Sequence, residues 1–218
     1  MPIPAALTLY HCPHTRSSGV LMLLEELGAP YSLVTMDLKA GETRLPEYLA
    51  INPMGKVPAI AHRGQLVTEQ VAIYLYLADE FASGGLAPPI GDPLRGPYLR
   101  WLVFYGSCFE PAIVDRFMQR EPGPQGSSPY GDFASTTGAI LGQVERGPWL
   151  LGERYSAADL LWGTALGWIT GFKLLERTPA VSAYIERVQS RPAVTKARAL
   201  DDELAAKQAA ARGAAGVS

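Results

Sequence analysis

The sequence predicts a small α/β domain followed by an all-α domain, on three observations. Over residues 1–82, short runs that alternate apolar and polar side chains, as strands do, take turns with apolar stripes at helical spacing. A segment rich in Gly and Pro, residues 83–97, interrupts both patterns. From 98 to 218 the apolar residues keep helical spacing. We therefore predict a mixed-sheet domain over 1–82, a linker over 83–97 and a helical domain over 98–218.

The predicted order of elements in the first domain is β-α-β-α-β-β-α. A strand, a crossover helix and a second strand imply a parallel pair, and the closing hairpin adds antiparallel strands. No glycine fingerprint for phosphates follows the first strand, so a doubly wound dinucleotide-binding fold is excluded. The predicted strands cover 7–10, 31–38, 57–60 and 65–67; the predicted helices of the second domain cover 99–118, 133–144, 157–170, 180–189 and 193–210.

Composition excludes several classes of protein. Among the 218 residues, 48% are hydrophobic, which rules out disorder of the whole chain. The 19 Lys and Arg against 21 Asp and Glu give a net charge of −2, so no basic surface indicates nucleic acid or an anionic membrane as partner. The two cysteines form no disulfide framework, and there is no charged leader or membrane-length apolar run. We expect a cytoplasmic protein whose Ala- and Gly-rich end, 205–218, frays.

Hydroxyl residues lie where the first strand leads into the first helix. Thr15 stands in this loop, and Ser17 stands at the expected helix start. Free N–H groups and the helix dipole favour negative charge at that position. A hydroxyl there either caps the helix or donates a hydrogen bond to a thiolate, and the local residues leave both interpretations open.

Two further features border the first domain. Pro58, early in a predicted strand, must lie at an edge or a strand start, so Val57 either belongs to an ordinary edge strand or offers its backbone to an extended peptide ligand. Glu69 at a helix start either complements the helix dipole or holds a ligand ammonium, while the following N–H groups hold a carboxylate. Together those groups would suit the amino-acid end of a ligand.

Four motifs in order give the chain a resemblance, over nearly its whole length, to the glutathione transferase superfamily. They are Asn52-Pro53 with Lys56-Val57-Pro58; Thr68-Glu69 with Ala72-Ile73 and Tyr76-Leu77; Leu150-Leu151-Gly152 with Ser156-Ala157-Ala158-Asp159; and Tyr184 with Arg187 and Arg191-Pro192-Ala193. The resemblance implies a thioredoxin-like domain followed by a helical one. It also implies a homodimeric detoxification enzyme that conjugates glutathione, as cosubstrate, to small hydrophobic electrophiles. No metal and no nucleotide are implied.

The same resemblance assigns roles in glutathione binding. The Val57–Pro58 bond would be cis, and the Val57 backbone would pair with the cysteinyl residue of glutathione. Glu69 would hold the γ-glutamyl end together with the N–H at Gln70, and Lys56 could approach the glycine carboxylate. Family members often carry Ser after that Glu, so Gln70 leaves only a backbone or amide contact. Other glutathione-dependent reactions (isomerisation, dehalogenation, ether cleavage, peroxide reduction) and a non-enzymatic binding or stress protein remain alternatives.

The resemblance also ranks the groups that could activate the thiol. Counted from Tyr10, Thr15 occupies the catalytic Ser position and Ser17 is the second candidate. His11 takes the position of the catalytic Tyr of other members, and strand alternation predicts that Tyr10 faces the other way. Cys12 lies three residues before the thiol position, which disfavours a redox role. The expected electrophile pocket lies between the domains, with Tyr105, Cys108, Phe109 and Phe117 lining it or, alternatively, packing in the core.

Overall fold

The computed structural model describes residues 3–215, which form two compact units. One consists of the residues up to Gly84 together with the stretch from Pro192 onwards, and the other is Gly85–Arg191. The predicted order β-α-β-α-β-β-α and the helical remainder are both confirmed. The fold class is therefore a thioredoxin-like α/β region followed by a mostly helical one.

A four-stranded sheet in the order β2-β1-β3-β4 organises the first unit. The strands are β1 (Thr8–His11), β2 (Ser32–Thr35), β3 (Ala59–His62) and β4 (Gln65–Thr68). β1 runs parallel to β2 and antiparallel to β3, and β3 pairs antiparallel with β4. In this register Ala59 lies between Tyr10 and Thr68. The last residues of β1 and β4 and the first residue of β3 therefore meet at one edge of the sheet.

The start of β3 differs from the prediction for a backbone reason. The predicted strand began at Val57, but the pairing begins at Ala59. Pro58 has no N–H to donate to a ladder, so the strand can start only after it. The Val57–Pro58 peptide bond is cis, as the resemblance implied.

The helices are α1 (Ser17–Leu27), α2 (Pro46–Leu49), α3 (Gln70–Glu80), α4 (Arg95–Phe104), α5 (Glu110–Phe117), α6 (Phe133–Val144), α7 (Ala157–Gly171), α8 (Pro179–Gln189) and α9 (Pro192–Ala215). Gly28 ends α1 with a φ of 61°, a conformation that glycine adopts without strain. The single helix predicted over 99–118 is instead α4 and α5 joined by a π-helical turn, Tyr105–Phe109. None of the helices in the described range is long and apolar enough to cross a membrane.

Helix α9 returns to the first unit and packs along α1. Its buried stripe is Val194, Ala197 and Asp201, spaced three and four residues apart. Near its end, Gln208 Nε2 donates to the carbonyl oxygen of Met36 at 3.0 Å, and Arg212 contacts Asp37. Helix α9 thus continues through the segment where fraying was expected, as far as Ala215. Residues 216–218 lie outside the described part of the chain.

The second unit packs around Trp162. The ring of Phe109 lies 4.6 Å and that of Tyr105 5.5 Å from it, centroid to centroid, and its Nε1 donates to the carbonyl oxygen of Trp101. The predicted capping box at the start of α7 is present. The second unit thus has an apolar core around Trp162, and the first unit has its own among the buried residues of its sheet and helices.

Asp159, the acidic member of that capping box, is fully buried and accepts four hydrogen bonds. They come from the Ser156 N–H (2.9 Å), the Ser156 hydroxyl (2.9 Å), the Leu150 N–H (2.7 Å) and the Tyr184 hydroxyl (3.0 Å). Burial raises the pKa of the Asp159 carboxyl, although the hydrogen bonds act to lower it. The contacts join the start of α7 to α8 and to the turn before it.

Candidate functional site

Two hydroxyl groups meet at the sheet edge where β1 leads into α1. Thr15 Oγ1 lies 2.8 Å from Ser17 Oγ and 2.7 Å from the carbonyl oxygen of Cys12, to which it donates. Ser17 Oγ accepts the N–H of Cys12 at 3.1 Å, and Thr15 Oγ1 accepts the N–H of Ser17 at 3.3 Å. The residue before the helix, Arg16, provides no side-chain cap. Thr15 thus accepts a hydrogen bond from one of the free N–H groups at the start of α1, and it also places a hydroxyl there.

The two hydroxyls differ in access to solvent. Ser17 is 0% exposed, whereas Thr15 is half-buried. A ligand atom arriving from solvent can therefore touch Thr15 first, with Ser17 directly behind it. The sequence analysis named Thr15 first and Ser17 as the second candidate, and left open which of them contacts the sulfur.

Behind Ser17 lies a buried pair formed by a histidine and an aspartate. Ser17 Oγ is 2.8 Å from Nδ1 of His11, and His11 Nε2 is 2.8 Å from Oδ1 of Asp201 on α9. The second contact is close but does not meet the geometry of a hydrogen bond, so we describe it as a close polar contact. His11 is 0% and Asp201 3% exposed.

The Asp201 carboxylate is fixed by further donors from the loop and from α1. Its Oδ2 accepts the Ser18 hydroxyl at 2.8 Å and the His14 N–H at 2.9 Å. Burial alone would raise the pKa of Asp201. The nearby His11 ring and the hydrogen bonds from His14 and Ser18 outweigh burial and hold that pKa below its ordinary value.

On the opposite face of β1, Tyr10 and Cys12 belong to a cluster of buried residues. Tyr10 packs against Tyr48 with ring centroids 5.8 Å apart, which agrees with the alternation expected along the strand. Cys12 is fully buried in the same cluster. Burial, reinforced by the carboxylates of Asp37 and Glu42, raises the pKa of its thiol to about 12. Cys12 is thus protonated at neutral pH and is not a nucleophile.

The segment before the cis bond is held by its backbone. The carbonyl oxygen of Lys56 accepts the Tyr48 hydroxyl at 2.6 Å and the Asn52 side-chain amide at 2.9 Å. The Lys56 side chain is exposed, Val57 is half-buried and Pro58 is buried. This places the Val57 backbone at the same sheet edge as the end of β1.

Glu69, at the junction of β4 and α3, has an uncommon backbone conformation. Its φ of 65° and ψ of 116° lie where residues other than glycine are rarely found, at a cost of about 1–3 kcal/mol. Such conformations cluster at ligand sites, and the Glu69 side chain is exposed. The adjacent Gln70 donates from Nε2 to the carbonyl oxygen of Arg16 at 3.1 Å. That bond joins the start of α3 to the start of α1 through the Gln70 NH2 group, while the Gln70 Oε1 is buried without a hydrogen-bond partner in the described part of the chain.

The four residues expected to line the electrophile pocket fall into two pairs. Tyr105 and Phe109 are buried against Trp162, as core residues are. Cys108 is half-buried, with Sγ 3.7 Å from the carbonyl oxygen of Pro129, and Phe117 is 65% exposed. Three of them lie in the π-helical turn, a feature often found at functional sites.

His11 and Asp201 were not among the predicted site residues. His11 was noted only as standing in the position of a family tyrosine. Asp201 had a detectable signal, because it is a carboxylate on the apolar stripe that Val194 and Ala197 begin. Within residues 3–215, no group of three or more His, Cys, Asp or Glu side chains could hold a metal ion.

Comparison with known proteins points to one family. The family model "Glutathione S-transferase, N-terminal domain" matches residues 5–79. The disulfide-bond oxidoreductase YfcG of Escherichia coli is 31% identical, over 87% of this chain and 93% of that protein. A glutathione transferase structure from Methylococcus capsulatus is 34% identical, with a TM-score of 0.74 over 90% of this chain and 98% of that one.

A sphingomonad glutathione S-transferase, solved as a complex with glutathione, is 30% identical. Its TM-score is 0.74, over 89% of this chain and 98% of that one. The sequence motifs, the fold and these similarities agree, and the chain belongs to the glutathione transferase family.

Proposed function

We propose that this protein binds glutathione as a cosubstrate and conjugates its thiolate to small hydrophobic electrophiles. The observation that carries the proposal is the half-exposed Thr15 hydroxyl at the start of α1, backed by the buried Ser17 hydroxyl. A free thiol with a pKa of roughly 8.5 is mostly protonated at neutral pH. A hydroxyl that donates to the sulfur favours the thiolate, which is the attacking species.

Thr15 is the residue that we assign to the sulfur, with Ser17 as its supporting group. Their exposures favour this order, because only Thr15 is open to solvent. Both hydroxyls have other acceptors within reach, so Thr15 must turn its proton from the Cys12 carbonyl to the ligand. Donation at a helix start is further supported by the positive end of the helix dipole.

The rest of glutathione would bind along the sheet edge. The Val57 backbone, ahead of Pro58, would pair with the cysteinyl residue as an added strand does. Glu69 would accept the γ-glutamyl ammonium, the backbone N–H of Gln70 would hold the adjacent carboxylate, and Lys56 would approach the glycine carboxylate. The register of β1, β3 and β4 supports this grouping, since all of these residues lie at or next to the same edge.

For the electrophile we propose contacts with Tyr105, Cys108, Phe109 and Phe117. Cys108 and Phe117 reach the surface of the helical unit, and Tyr105 and Phe109 would shape the site from beneath. In keeping with the family, we propose a cytoplasmic homodimer with a role in detoxification.

The similarity to YfcG favours a second candidate function, the reduction of disulfides by glutathione. In that reaction the bound thiolate would attack one disulfide sulfur, form a mixed disulfide and release the other half as a thiol. Cys12 is buried and protonated, so glutathione itself would have to supply the sulfur. Conjugation of an aryl halide measured beside reduction of a small disulfide distinguishes the two candidates.

Calorimetric titration with glutathione tests the binding proposal. We expect binding by the wild type and a loss of about 10- to 100-fold in affinity for Glu69→Gln, because a charge-assisted hydrogen bond contributes about 1.5–3 kcal/mol. The matched control is Glu153→Gln, which changes an exposed glutamate of the other unit and should bind like the wild type. Absence of binding to the wild type at millimolar glutathione would overturn the proposal.

A further inference from the structure

The groups behind Thr15 form an unbroken chain that ends on helix α9. Thr15 Oγ1, Ser17 Oγ and His11 Nδ1 follow one another at 2.8 Å, and His11 Nε2 meets Asp201 Oδ1 at 2.8 Å. We propose that this chain is a proton relay, in which His11 receives the proton released by the glutathione thiol and Asp201 positions and stabilises the resulting imidazolium. The inference rests on the proposed function, because it needs glutathione at Thr15.

The positions of the hydrogens on the His11 ring set the direction in which a proton can move. Asp201 is ionised at neutral pH, because its pKa lies below the ordinary value. A carboxylate oxygen and a bare ring nitrogen are both acceptors and would repel at 2.8 Å, so Nε2 carries a proton. In the neutral ring Nδ1 is then the acceptor, and it faces the Ser17 hydroxyl. This is the arrangement that a base needs in order to take a proton from the hydroxyl side.

The proposed step moves one proton in net terms and no electrons. The S–H bond of glutathione breaks as its proton passes to Thr15 Oγ1. Thr15 passes its own proton to Ser17 Oγ, and Ser17 passes its own to His11 Nδ1, where the new N–H bond forms. Both hydroxyls are regenerated. The products are a thiolate that accepts a hydrogen bond from Thr15 and an imidazolium paired with Asp201.

Ser17, His11 and Asp201 have counterparts in the hydroxyl–imidazole–carboxylate triads of hydrolases. There too a buried carboxylate holds the imidazole in one tautomer and stabilises its charged form. Here the hydroxyls only transmit the proton, and the nucleophile is the sulfur of the ligand. The Cys12 carbonyl is the competing acceptor, at 2.7 Å from Thr15 Oγ1 and 2.9 Å from Ser17 Oγ.

Burial gives the pair its strength. His11 is fully buried and Asp201 nearly so, which reduces screening of their attraction by salt and water. The other titratable groups at this place are His14 in the loop, Asp202 on α9 and the thiol of Cys12. His14 and Asp202 pair at 2.8 Å on the surface, and the first turn of α1 holds no acidic residue. The His14 ring also lies 3.9 Å from Asp201 Oδ2, so only Asp202 serves as the control position.

The test compares variants of the buried pair, His11 and Asp201, with a variant of the exposed Asp202. For His11→Gln and Asp201→Asn, the pKa of enzyme-bound glutathione is measured from thiolate absorbance as a function of pH. We expect both variants to raise it by about one unit or more, a tenfold loss of thiolate. Asp202→Asn should leave it unchanged. Calorimetric affinity for S-methylglutathione, which has no thiol proton, should stay within about twofold of the wild type in all three variants.

One more variant separates the relay from a defect in folding. Ser17→Ala interrupts the chain without removing any contact of Asp201, and it should raise the pKa of the bound thiol by a similar amount. An unshifted titration in folded Ser17→Ala and His11→Gln proteins that still bind glutathione would overturn the relay alone. If the wild type fails to bind glutathione, the proposed function and the relay are overturned together.

Discussion

Two buried aspartates, one in each unit, have nearly the same exposure and quite different surroundings. Asp159 is satisfied by donors that all belong to the core of the helical unit, namely two from Ser156, one from Leu150 and one from Tyr184. Asp201 also accepts hydrogen bonds from a hydroxyl and an N–H, but its other oxygen faces His11. From there the contacts run outward to the half-exposed Thr15.

The two hydrogen-bond networks differ in where they end, and the proposed relay depends on that difference. The degree of burial does not distinguish the two aspartates. All donors to Asp159 lie in the core of the helical unit, whereas the contacts of Asp201 lead to the half-exposed hydroxyl of Thr15. The pKa directions agree with this division: burial raises the pKa of Asp159, whereas the nearby His11 ring and the hydrogen-bond donors hold that of Asp201 below its ordinary value.

The largest expected effect on stability is that of Asp159→Ala. It leaves buried donors from Ser156, Leu150 and Tyr184 without an acceptor, so we expect the free energy of unfolding to fall by about 3–5 kcal/mol. Urea denaturation measures the loss. The bound-thiol titration of the folded protein should match that of the wild type, and a shift there would contradict a purely structural role.

Compared with Asp159→Ala, the variant Asp201→Asn should lower the free energy of unfolding less and lower the activity more. We expect a loss of about 2 kcal/mol in unfolding free energy and a fall of about tenfold in kcat/KM for conjugation at neutral pH. Unfolding curves and initial rates on the same preparation provide both numbers. Asp202→Asn, an exposed neighbour, is the control, and equal activity of the two variants would remove the distinction between the aspartates.

The pH dependence of stability should have opposite signs at the two positions. A lowered folded pKa means that Asp201 contributes stability above the unfolded pKa of about 3.9, which is lost as the pH falls through the folded pKa. A raised folded pKa means that the contribution of Asp159 is present in acid and is lost as the pH rises through that pKa.

Denaturation of Asp201→Asn and Asp159→Asn beside the wild type, between about pH 3 and pH 6, tests these signs. As the pH rises from about 3 to about 6, the loss of unfolding free energy caused by Asp201→Asn should increase, and the loss caused by Asp159→Asn should decrease. Parallel slopes would show that the two carboxylates titrate alike and would weaken the comparison.

The smallest expected effects come from removing one hydroxyl at each aspartate. Tyr184→Phe deletes a donor to Asp159, and Ser18→Ala deletes a donor to Asp201. Each should cost about 1 kcal/mol in unfolding free energy, the usual net contribution of one hydrogen bond. Only Ser18→Ala should also alter the bound-thiol titration, because Ser18 fixes the carboxylate that faces His11. A change in that titration for Tyr184→Phe would contradict the account.

Local sequence signals predicted the parts of the molecule that depend on neighbouring residues. The hydroxyls at the start of α1, the Ser156–Asp159 capping box and the stop at Gly28 all follow from short patterns. The start of β3 was predicted too early because apolar alternation continues through Pro58, although proline cannot join the ladder.

Contacts between residues far apart in the sequence could not be predicted from short patterns. Asp201 is 190 residues from His11, and only the folded chain brings α9 against α1. The end of α9 looked weak because Ala and Gly offer few contacts, but Gln208 and Arg212 attach it to the segment after β2. The π-helical turn likewise has no signature in the apolar pattern, since one extra residue per turn changes the spacing only locally.

The central claim is that the thiol proton of glutathione ends on His11, and nitrogen NMR of the imidazole tests it most directly. The chain has three histidines, so His11→Gln assigns the signal. We predict that Nδ1 of His11 changes from unprotonated to protonated when glutathione binds at neutral pH, and that S-methylglutathione causes no such change. An Nδ1 signal that stays the same with saturating glutathione, while the thiolate absorbance appears, would contradict the account.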